Sequence, residues 1–325
     1  MSNHEATNFA LKHITVRVPA TSANLGPGFD CLGLALDLWN EFELQISATI
    51  IETSVETMGE GAGTLPTDGR HLVAQTFASE YQRITGTPAN AHRLICRNAV
   101  PAGSGLGSSS TAVLGGLLLA HVLAGEPDAG LFDPHGALLK RAIDLEGHGD
   151  NVAPALLGGL MIVSTQPASA PDPMECAITQ RVGIPDMKLV VCVPDFHFLT
   201  TTARAAVPTT LSRTDAIFNI GRALLVLHAM HTGDYELLGA SLDDRIHQPY
   251  RLPAIPGARD VRLAALDAGA SAVALSGAGP GLIAFAQSKH SAIGESMVQV
   301  FAAHGLHARY WVLNAQATGA TVTCA

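Results

Sequence analysis

The sequence predicts a mixed α/β protein that is divided into two domains. Segments with the two-residue apolar period of strands alternate with segments that have the longer period of helices. The length of 325 residues suits about two domains, since domains contain roughly 100–200 residues. Residues 164–173 contain three prolines and few side chains that pack, and we therefore place the domain boundary between residues 168 and 169.

Each predicted domain contains both strands and helices. In the first, residues 1–168, the pattern predicts strands at 14–18, 41–47, 93–98 and 160–163, and helices at 69–84, 108–123 and 134–144. In the second, residues 169–325, it predicts strands at 188–193, 272–275, 282–286 and 308–312, and helices at 214–231, 259–268 and 291–304. The order strand, helices, strand, strand, helix, strand is typical of a ferredoxin-like domain.

The composition argues against several classes of function. With 19 Lys and Arg against 28 Asp and Glu, the net charge is −9, which disfavours nucleic acid and anionic membranes as partners. The longest apolar stretches, 112–125 and 152–164, fall short of the roughly 20 residues that a membrane span needs. Residues 1–13 lack a basic start followed by an apolar run, so we expect no signal peptide.

The cysteine and histidine spacings indicate a cytoplasmic protein without a zinc site. The five cysteines are Cys31, Cys96, Cys176, Cys192 and Cys324. They form no CxxC motif, and their scattered, odd number is typical of reduced thiols in the cytosol. The histidines include no HExxH motif, and the pair His228 and His231 has no third ligand nearby in the sequence.

Residues 101–111, PAGSGLGSSST, form the clearest local motif. They follow a predicted strand and begin a long apolar helix. Glycines allow backbone N–H groups to turn toward an anion, and a helix N-terminus adds free N–H donors and about half a positive charge. The motif therefore predicts a site for a nucleotide, with hydroxyl groups that can cap the helix or ligate Mg²⁺.

Three other loop types share part of this motif. A Walker A loop requires Gly-Lys-Ser/Thr, and there is no lysine between residues 101 and 111. A Rossmann loop requires GxGxxG, whereas here the third glycine is Gly107, one place early, and Ser108 holds the required position. A plain strand-to-helix turn with a serine cap needs fewer glycines and serines than the motif contains.

Two polar segments are further candidates for binding residues. In the loop 21–30, turn chemistry explains the glycines and the proline, but not Asn24 and Asp30 on either side of a phenylalanine. The segment EGHGDN, which begins at Glu146, is either a helix C-cap followed by an N-cap or a functional site. In the second case Glu146 binds Mg²⁺ and Asn151 contacts the substrate.

Two arginines and a second glycine-rich loop complete the candidates. Arg204, within TTTAR, and Arg251, within HQPYR, are predicted to lie in loops. Each is either a solvated surface residue or half of a bidentate clamp on a carboxylate. Residues 276–281, SGAGPG, join two predicted strands, and a plain hairpin rarely needs three glycines and a proline. We expect this loop to lie close against another surface.

Six segments occur in one order: PATSANLGPGFDCLGLALD, PAGSGLGSSST, EGHGDNVAPALLGG, TTTAR, HQPYR and SGAGPG. From about residue 15 to 285, this set resembles the homoserine kinases of the GHMP kinase superfamily. The glycine-rich loop alone indicates only the superfamily. The SANLGPGFD loop, the HxDNVAP segment and the two arginine motifs indicate homoserine as the substrate.

The resemblance implies two α/β domains, the first like ribosomal protein S5 domain 2 and the second ferredoxin-like. It implies that ATP, with Mg²⁺, phosphorylates the hydroxyl of L-homoserine, a reaction of threonine biosynthesis. It also suggests a homodimer. Together with the composition, it predicts a small-molecule enzyme with no nucleic acid or membrane partner.

The resemblance also assigns roles to residues of this chain. The ATP-binding positions are Pro101, Gly103, Ser104, Gly105, Leu106, Gly107, Ser108, Ser109 and Ser110. Mg²⁺ is expected on Glu146 and on either Ser108 or Ser109. The substrate positions are Asn24 and Asp30 at the amino end, Arg204 and Arg251 at the carboxylate, Asn151 at the reacting hydroxyl, and Gly277 and Gly279. Thr200 matches a position near the transferred phosphoryl group and joins Asn151 and Glu146 as a catalytic residue.

Some features depart from the usual family pattern. Ser110 and Thr111 stand where relatives often carry alanines, Gly281 stands where Ser or Thr is more usual, and the spacing from Glu146 to Asn151 is the short form. Asn151 lies in the region where other GHMP kinases carry a catalytic Asp, so we expect direct transfer without a general base.

Several alternatives to this interpretation remain open. Asp30 or Asp150 could be a true base, which would replace the base-free mechanism. Another GHMP kinase, an inactive ligand-binding paralogue and a Rossmann reductase are the alternative functions.

Overall fold

A computed structural model describes residues 12–125, 128–165 and 177–324. The predicted domain boundary at 168/169, Cys176 and most of residues 1–13 lie outside this range. The strands are β1 (Lys12–Ala23), β2 (Leu32–Ile46), β3 (Ser54–Gly59), β4 (Arg93–Asn98), β5 (Leu160–Thr165), β6 (Ala177–Val182), β7 (Lys188–Pro194), β8 (Ala272–Leu275), β9 (Leu282–Phe285), β10 (Ala308–Asn314) and β11 (Thr321–Cys324).

Helices lie between the strands throughout the described chain. They are α1 (Leu72–Thr85), α2 (Ser108–Leu123), α3 (Asp128–Leu131), α4 (Ala137–Glu146), α5 (Val152–Leu157), α6 (Thr200–Ala205), α7 (Arg213–Thr232), α8 (Tyr235–Ser241), α9 (Gln248–Arg251), α10 (Ala258–Asp267) and α11 (His290–Ala303). Within the described residues, no helix combines the length and apolarity needed to cross a membrane.

The larger sheet has seven strands among the described residues. Its order is β11-β1-β2-β4-β3, with β5 beside β2 and β6 beside β5. Strands β6 and β11 come from the second half of the chain and pair with β5 and β1. In the described part of this sheet only β3 and β4 pair in parallel, whereas a Rossmann sheet is mostly parallel, so the Rossmann alternative is excluded.

The smaller sheet confirms the predicted ferredoxin-like order. Its four described strands lie in the order β10-β7-β9-β8, and every described pair is antiparallel. Along the chain, β7 is followed by helices, then by β8, β9, α11 and β10. The mixed α/β fold that the sequence predicted is therefore confirmed.

Individual elements agree with the predictions to different degrees. Strand β4 and helix α2 have the predicted bounds, whereas β3 was not predicted. The prediction that Arg204 and Arg251 lie in loops is wrong, because they lie in α6 and α9. These helices have six and four residues, too few to leave a periodic apolar pattern in the sequence.

A buried carboxylate joins the helices that cover the larger sheet. Glu80 of α1 is 1% exposed. It accepts hydrogen bonds from Arg83 at 2.7 Å and from Arg141 of α4 at 3.2 Å, and it lies 3.1 Å from His121 Nε2 of α2. Burial raises the pKa of Glu80, but the hydrogen bonds with His121 and the two arginines outweigh it and lower the pKa to about 2.

Replacing Glu80 by glutamine is expected to lower the free energy of unfolding at pH 7 by about 1.5–3 kcal/mol, since hydrogen bonds to a buried charge are lost. The folded-state pKa lies below the ordinary 4.5, so the stabilisation is complete above that pH and is lost as the pH falls toward about 2. Urea unfolding at a series of pH values checks this. The control is Glu56→Gln, which removes a half-exposed pair with Arg93 worth about 0–1 kcal/mol. The assignment would be contradicted if the difference in the free energy of unfolding between wild type and E80Q grew as the pH fell.

Candidate active site

One cavity of about 110 Å³ gathers most of the predicted site residues. It lies where α2 begins, against α6, α9 and the 276–281 loop of the second half of the chain. The predicted residues that line it are Asn24, Asp30, Gly103, Ser104, Gly105, Gly107, Ser108, Ser109, Ser110, Glu146, Asn151, Thr200, Arg204, Arg251, Gly277 and Gly279. Two others lie apart: the side chain of Leu106 is fully buried in the core, and Pro101 lines an adjoining cavity.

The two glycine-rich loops lie directly against each other, as predicted for residues 276–281. Ser276 donates from its hydroxyl to the carbonyl of Gly105 at 2.7 Å, and the backbone N–H of Gly281 donates to the carbonyl of Ser104 at 3.1 Å. The first strand joins the same contact, because the Ser22 and Ser276 hydroxyls lie 2.8 Å apart. These hydrogen bonds join the two loops, which lie 171 residues apart in the chain at Gly105 and Ser276, and the first strand.

The unusual residues of both loops have structural reasons. A Cβ atom at Gly281 would lie 2.5 Å from the carbonyl oxygen of Ser104, so a larger residue requires the loops to separate. Thr111 is buried and accepts a hydrogen bond from Asn40 at 2.8 Å while donating to the carbonyl of Ser108. Ser110 donates to Glu146 at 2.7 Å. Ser110, Thr111 and Gly281 therefore each make, or avoid, a specific contact.

Glu146 lies at the end of α4 and binds the hydroxyls at the start of α2. Ser109 donates to its Oε1 and Ser110 to its Oε2, each at 2.7 Å. The N-cap of α2 is Gly107, which makes no side-chain cap, so the serines turn toward the carboxylate instead of capping the helix. A carboxylate and hydroxyl oxygens thus meet beside a helix N-terminus.

These oxygen atoms fit a magnesium ion that arrives with a nucleotide. Mg²⁺ takes oxygen ligands, and in phosphoryl-transfer sites one or two carboxylates suffice because phosphate oxygens and water complete the octahedron. Among residues 12–125, 128–165 and 177–324, no group of three or more His, Cys, Asp or Glu side chains forms a metal site on its own. Glu146, Ser109 and Ser110 therefore supply oxygen atoms of the kind that Mg²⁺ takes together with a nucleotide.

Asn151 has its amide fixed between the first strand and the cavity. Thr21 donates from its hydroxyl to Asn151 Oδ1 at 2.8 Å, which directs the amide N–H₂ group away from Thr21. Asn151 Nδ2 lies 3.5 Å from the Asp150 carboxylate. This arrangement presents a hydrogen-bond donor, which orients an oxygen atom but removes no proton.

His148 and Asp150 also line the cavity, and the sequence assigned no role to His148. Asp150 is 2% exposed, and its Oδ1 lies 2.9 Å from Nδ1 of His148. Burial lowers the pKa of His148, but the carboxylates of Asp150 and Glu146 outweigh it and raise the pKa above its ordinary value. The Asp150 carboxylate is thus paired with the His148 imidazole in this structure.

Both arginines pack on the ring of Phe29. The distance from the guanidinium Cζ to the ring centroid is 5.7 Å for Arg204 and 5.0 Å for Arg251. Arg204 forms a bidentate pair with Asp30, with distances of 2.7 and 3.0 Å, and this pair raises the pKa of Arg204. Arg251 is 2% exposed and donates from Nε to the carbonyl of Ala203 at 3.0 Å. Burial and the charge of Arg204 lower the pKa of Arg251.

Three residues that support this end of the site were not identified from the sequence. Asp244, Asn219 and His247 are all buried. Asn219 donates to Asp244 and to the carbonyl of Pro27, and His247 hydrogen-bonds to the carbonyl of Gly26, in the loop that contains Asp30. An Asp shortly before the HQPYR motif is a helix-start signal, because carboxylates cap helix N-termini, and this signal could have indicated Asp244.

Two family models match the chain. One describes the GHMP kinase N-terminal domain and matches residues 71–159, and the other describes the GHMP kinase C-terminal domain and matches residues 226–301. The chain belongs to the GHMP kinase family. Among curated proteins, this GHMP kinase is 43% identical over 282 residues to a homoserine kinase of Trichormus variabilis, covering 86% of the chain and 88% of the relative. It is 38% identical over 311 residues to one of Desulfitobacterium hafniense, covering 95% and 99%.

Solved structures agree with this family. The homoserine kinase of Cytophaga hutchinsonii has 28% sequence identity and a TM-score of 0.80, covering 99% of this GHMP kinase and all of that chain. The L. major mevalonate kinase, solved with R-mevalonate, has 14% identity and a TM-score of 0.66, covering 98% and 100%, which shows a shared fold. The family and the curated relatives identify the chain as an ATP-dependent kinase.

Replacing Gly105 by alanine is expected to lower kcat/KM for ATP by about tenfold or more, equivalent to about 1.4 kcal/mol or more. Gly105 has a φ of +80°, and a Cβ there would lie 2.2 Å from the carbonyl oxygen of Ser276. The matched control is Gly103→Ala, since Gly103 also has a positive φ of +64° but nothing within 4 Å of an added Cβ. Steady-state kinetics of both variants check the prediction. Equal losses would show that backbone conformation matters and the contact between the loops does not.

Proposed function

We propose that this GHMP kinase transfers the γ-phosphoryl group of ATP to the hydroxyl of L-homoserine, giving ADP and O-phospho-L-homoserine. In this proposal the enzyme acts in the cytoplasm, where the reaction is a step of threonine biosynthesis. Curated relatives at 38–45% identity are homoserine kinases, which supports the substrate. The observation that carries the proposal is a single cavity lined by the glycine-rich loop, the Glu146 carboxylate, the Asn151 amide and two arginines.

In this proposal the nucleotide lies along the glycine-rich loop. The phosphates meet the backbone N–H groups of the loop and of the α2 N-terminus, which attract negative charge. A second cavity of about 460 Å³ shares Gly103 and Ser104 with the first and takes the nucleoside. Its lining includes the rings of Phe196 and His307, which suit the face of a base.

Magnesium, bound by Glu146 and Ser109, would neutralise charge on the phosphate oxygens. The sequence left open whether Ser108 or Ser109 is the Mg²⁺ ligand. The hydrogen bond from Ser109 to Glu146 at 2.7 Å supports Ser109. Ser108 also lines the cavity and is the alternative ligand.

Homoserine is proposed to bind at the arginine end of the cavity as a zwitterion. Its carboxylate would pair with Arg251 and Arg204, and its ammonium group with Asp30 and Asn24. In the structure Asp30 and Arg204 bind each other, so an incoming zwitterion would exchange one internal ion pair for two with the substrate. Such charge-assisted contacts favour a substrate that carries both charges over one that carries a single charge.

The proposed mechanism relies on alignment. Asn151 orients the hydroxyl oxygen through its amide N–H, and Thr200 at the start of α6 lies beside the transferred phosphoryl group. A loose transition state needs little nucleophilic push, so the hydroxyl proton leaves to the γ-phosphate or to solvent. Asp150 is engaged with His148, which supports this over general base catalysis by Asp150.

The substitution Asp150→Asn is therefore expected to reduce kcat by less than about tenfold, whereas loss of a true general base costs about 10²–10⁴-fold. The measurement is kcat at saturating homoserine across roughly pH 6–9, which brackets a catalytic pKa near neutrality. The comparison variant is Asn151→Asp, which introduces a carboxylate at the hydroxyl and should not raise kcat. A loss of several hundred-fold in D150N, with the homoserine KM unchanged, would overturn the base-free mechanism.

We further propose a homodimer through the exposed side of α7. Ile217, Ile220 and Leu224 are each 63% exposed and lie three or four residues apart, so they form one apolar stripe. Two copies of α7 packed antiparallel would bury this stripe against itself, as a two-fold symmetric interface requires.

The double variant Ile220→Glu with Leu224→Glu tests this interface, because each dimer would bury four added carboxylates. Light scattering coupled to size-exclusion chromatography is expected to show a dimer for wild type and a monomer for the variant. The control is Leu263→Glu, which adds one carboxylate at an exposed leucine of α10. A wild-type monomer, or a variant that remains dimeric, would contradict the proposal.

An assay of ADP release with a panel of hydroxyl compounds tests the proposed function. We expect the highest kcat/KM with L-homoserine, and a poor rate with 3-aminopropan-1-ol, which lacks the carboxylate. Preference for mevalonate or a sugar would indicate another GHMP kinase. Binding of ATP without ADP release for any compound would indicate a ligand-binding paralogue.

A further inference from the structure

Asp244 is a buried carboxylate that accepts four hydrogen bonds outside the cavity. It lies between α8 and α9 and is 8% exposed. Its oxygens accept from the backbone N–H groups of Ile246, His247 and Gln248 at 2.6–2.9 Å. They also accept from the side chain of Asn219 on α7 at 2.9 Å. The carboxylate therefore caps α9 and fastens it to α7.

The first branch of this network leads to Arg251. Helix α9 has four residues, too few to be stable alone, so the position of Arg251 at its end depends on the cap. His247 donates from Nε2 to the carbonyl of Gly26 at 2.8 Å, which leaves Nδ1 as the acceptor 3.4 Å from Arg251 NH1. Gln248 accepts a hydrogen bond from the N–H of Leu275, the residue before the SGAGPG loop.

The second branch leads to the loop that contains Asn24 and Asp30. Asn219 donates both to Asp244 and to the carbonyl of Pro27, at 2.9 and 3.1 Å. In the same loop Phe29 stacks on His247, with ring centroids 5.2 Å apart, and lies beneath both arginines. The loop and the arginines are therefore held by one set of contacts that converges on Asp244.

Asp234 offers a comparison within the same chain. It caps α8 by accepting from the N–H of Leu237 at 2.9 Å, and it is exposed. Capping a helix thus does not require burial here. Burying a carboxylate is costly unless its hydrogen bonds are satisfied, and Asp244 meets that condition with donors from two elements.

We propose that Asp244 is a positioning residue for the substrate end of the active site. It sets the positions of Arg251 and of the 24–30 loop. We therefore expect the affinity for homoserine to depend on Asp244, and the affinity for ATP not to depend on it. The inference rests on the proposed function, because it assigns this end of the cavity to the amino-acid substrate. No contact of Asp244 with substrate is required, since it acts through α9, His247 and Asn219.

The substitution Asp244→Asn keeps the shape of the side chain but places an N–H₂ group against backbone N–H donors. We expect the KM for homoserine to rise by about 10–100-fold, with kcat and the KM for ATP within about threefold of wild type. The matched control is Asp234→Asn, which alters the same kind of cap away from the cavity and should leave both KM values unchanged.

A double-mutant cycle with Arg251→Ala separates positioning from a general loss of stability. Because Asp244 acts in part through Arg251, the homoserine KM of the double variant D244N/R251A should rise clearly less than the product of the two single increases, whereas independent effects multiply. If D244N does not yield soluble protein, Asn219→Ser cuts the branch to the loop instead. That variant is expected to raise the homoserine KM by about tenfold without raising the KM for ATP.

Equal increases of the two KM values in D244N or N219S, or an unchanged homoserine KM, would overturn the positioning role. So would full multiplication of the effects in the cycle. A wild-type enzyme that does not phosphorylate homoserine counts against the proposed function instead, and the wild-type measurement identifies that case before any variant is compared.

Discussion

Replacement of Glu146 by alanine is expected to lower kcat by about 100-fold or more, because loss of a ligand that neutralises phosphoryl charge costs several kcal/mol. Glu146 accepts hydrogen bonds from the two serines at the α2 N-terminus, and all three line the cavity. The substitution lies at the last residue of α4, so the fold should persist. Part of the lost activity should return at high Mg²⁺ concentration if Glu146 holds the ion.

The control for this prediction is Asp144→Ala, which removes an exposed carboxylate two residues earlier on the same helix. Its kcat and Mg²⁺ dependence should match wild type. Activity measured against Mg²⁺ concentration for both variants decides the question. If E146A keeps wild-type activity at limiting Mg²⁺, Glu146 does not hold the ion.

Replacement of Arg251 by alanine is expected to raise the KM for homoserine by about 10–100-fold, because a charge-assisted hydrogen bond that contributes about 1.5–3 kcal/mol is lost. The side chain of Arg251 is 2% exposed and lines the cavity. Arg204→Ala should have a smaller effect, because Arg204 is more exposed and already paired with Asp30. The KM for ATP should change little in either variant.

Initial-rate kinetics with each substrate varied check this prediction. Arg245→Ala is the matched control, because Arg245 is an exposed arginine that packs on Phe218, away from the cavity. A change confined to the KM for ATP in R251A would place this arginine at the nucleotide instead of the amino acid.

Much of the fold follows from local sequence patterns. Residues 108–123 are almost uniformly apolar after a serine-rich start, and residues 188–193 form a short apolar run, so their helix and strand were predictable. Strand β3 was missed because most of its side chains are exposed and it pairs at the edge of the sheet, which leaves little apolar signal. Helices α6 and α9 were missed because tertiary contacts, and not their own periodicity, stabilise them.

The candidate site was predictable as a set of residue types but not as a set of contacts. Clustered glycines and serines, and isolated arginines, can be identified from the sequence without the structure. The pairing of Arg204 with Asp30 joins residues 174 positions apart, and only the fold brings them together. The same holds for Asn219 and Pro27, which are 192 positions apart. Neither pair leaves a local pattern that sequence analysis could detect.

Identification of the product by phosphorus NMR and mass spectrometry tests the central claim most directly. With ATP, Mg²⁺ and L-homoserine, the enzyme is expected to form a phosphate monoester on the homoserine hydroxyl in equal amount to ADP. The matched reaction with L-2-aminobutyrate, which has the same charged groups but no hydroxyl, should give no phosphorylated product. Release of inorganic phosphate without a monoester, or a phosphate on another group of the substrate, would contradict the account.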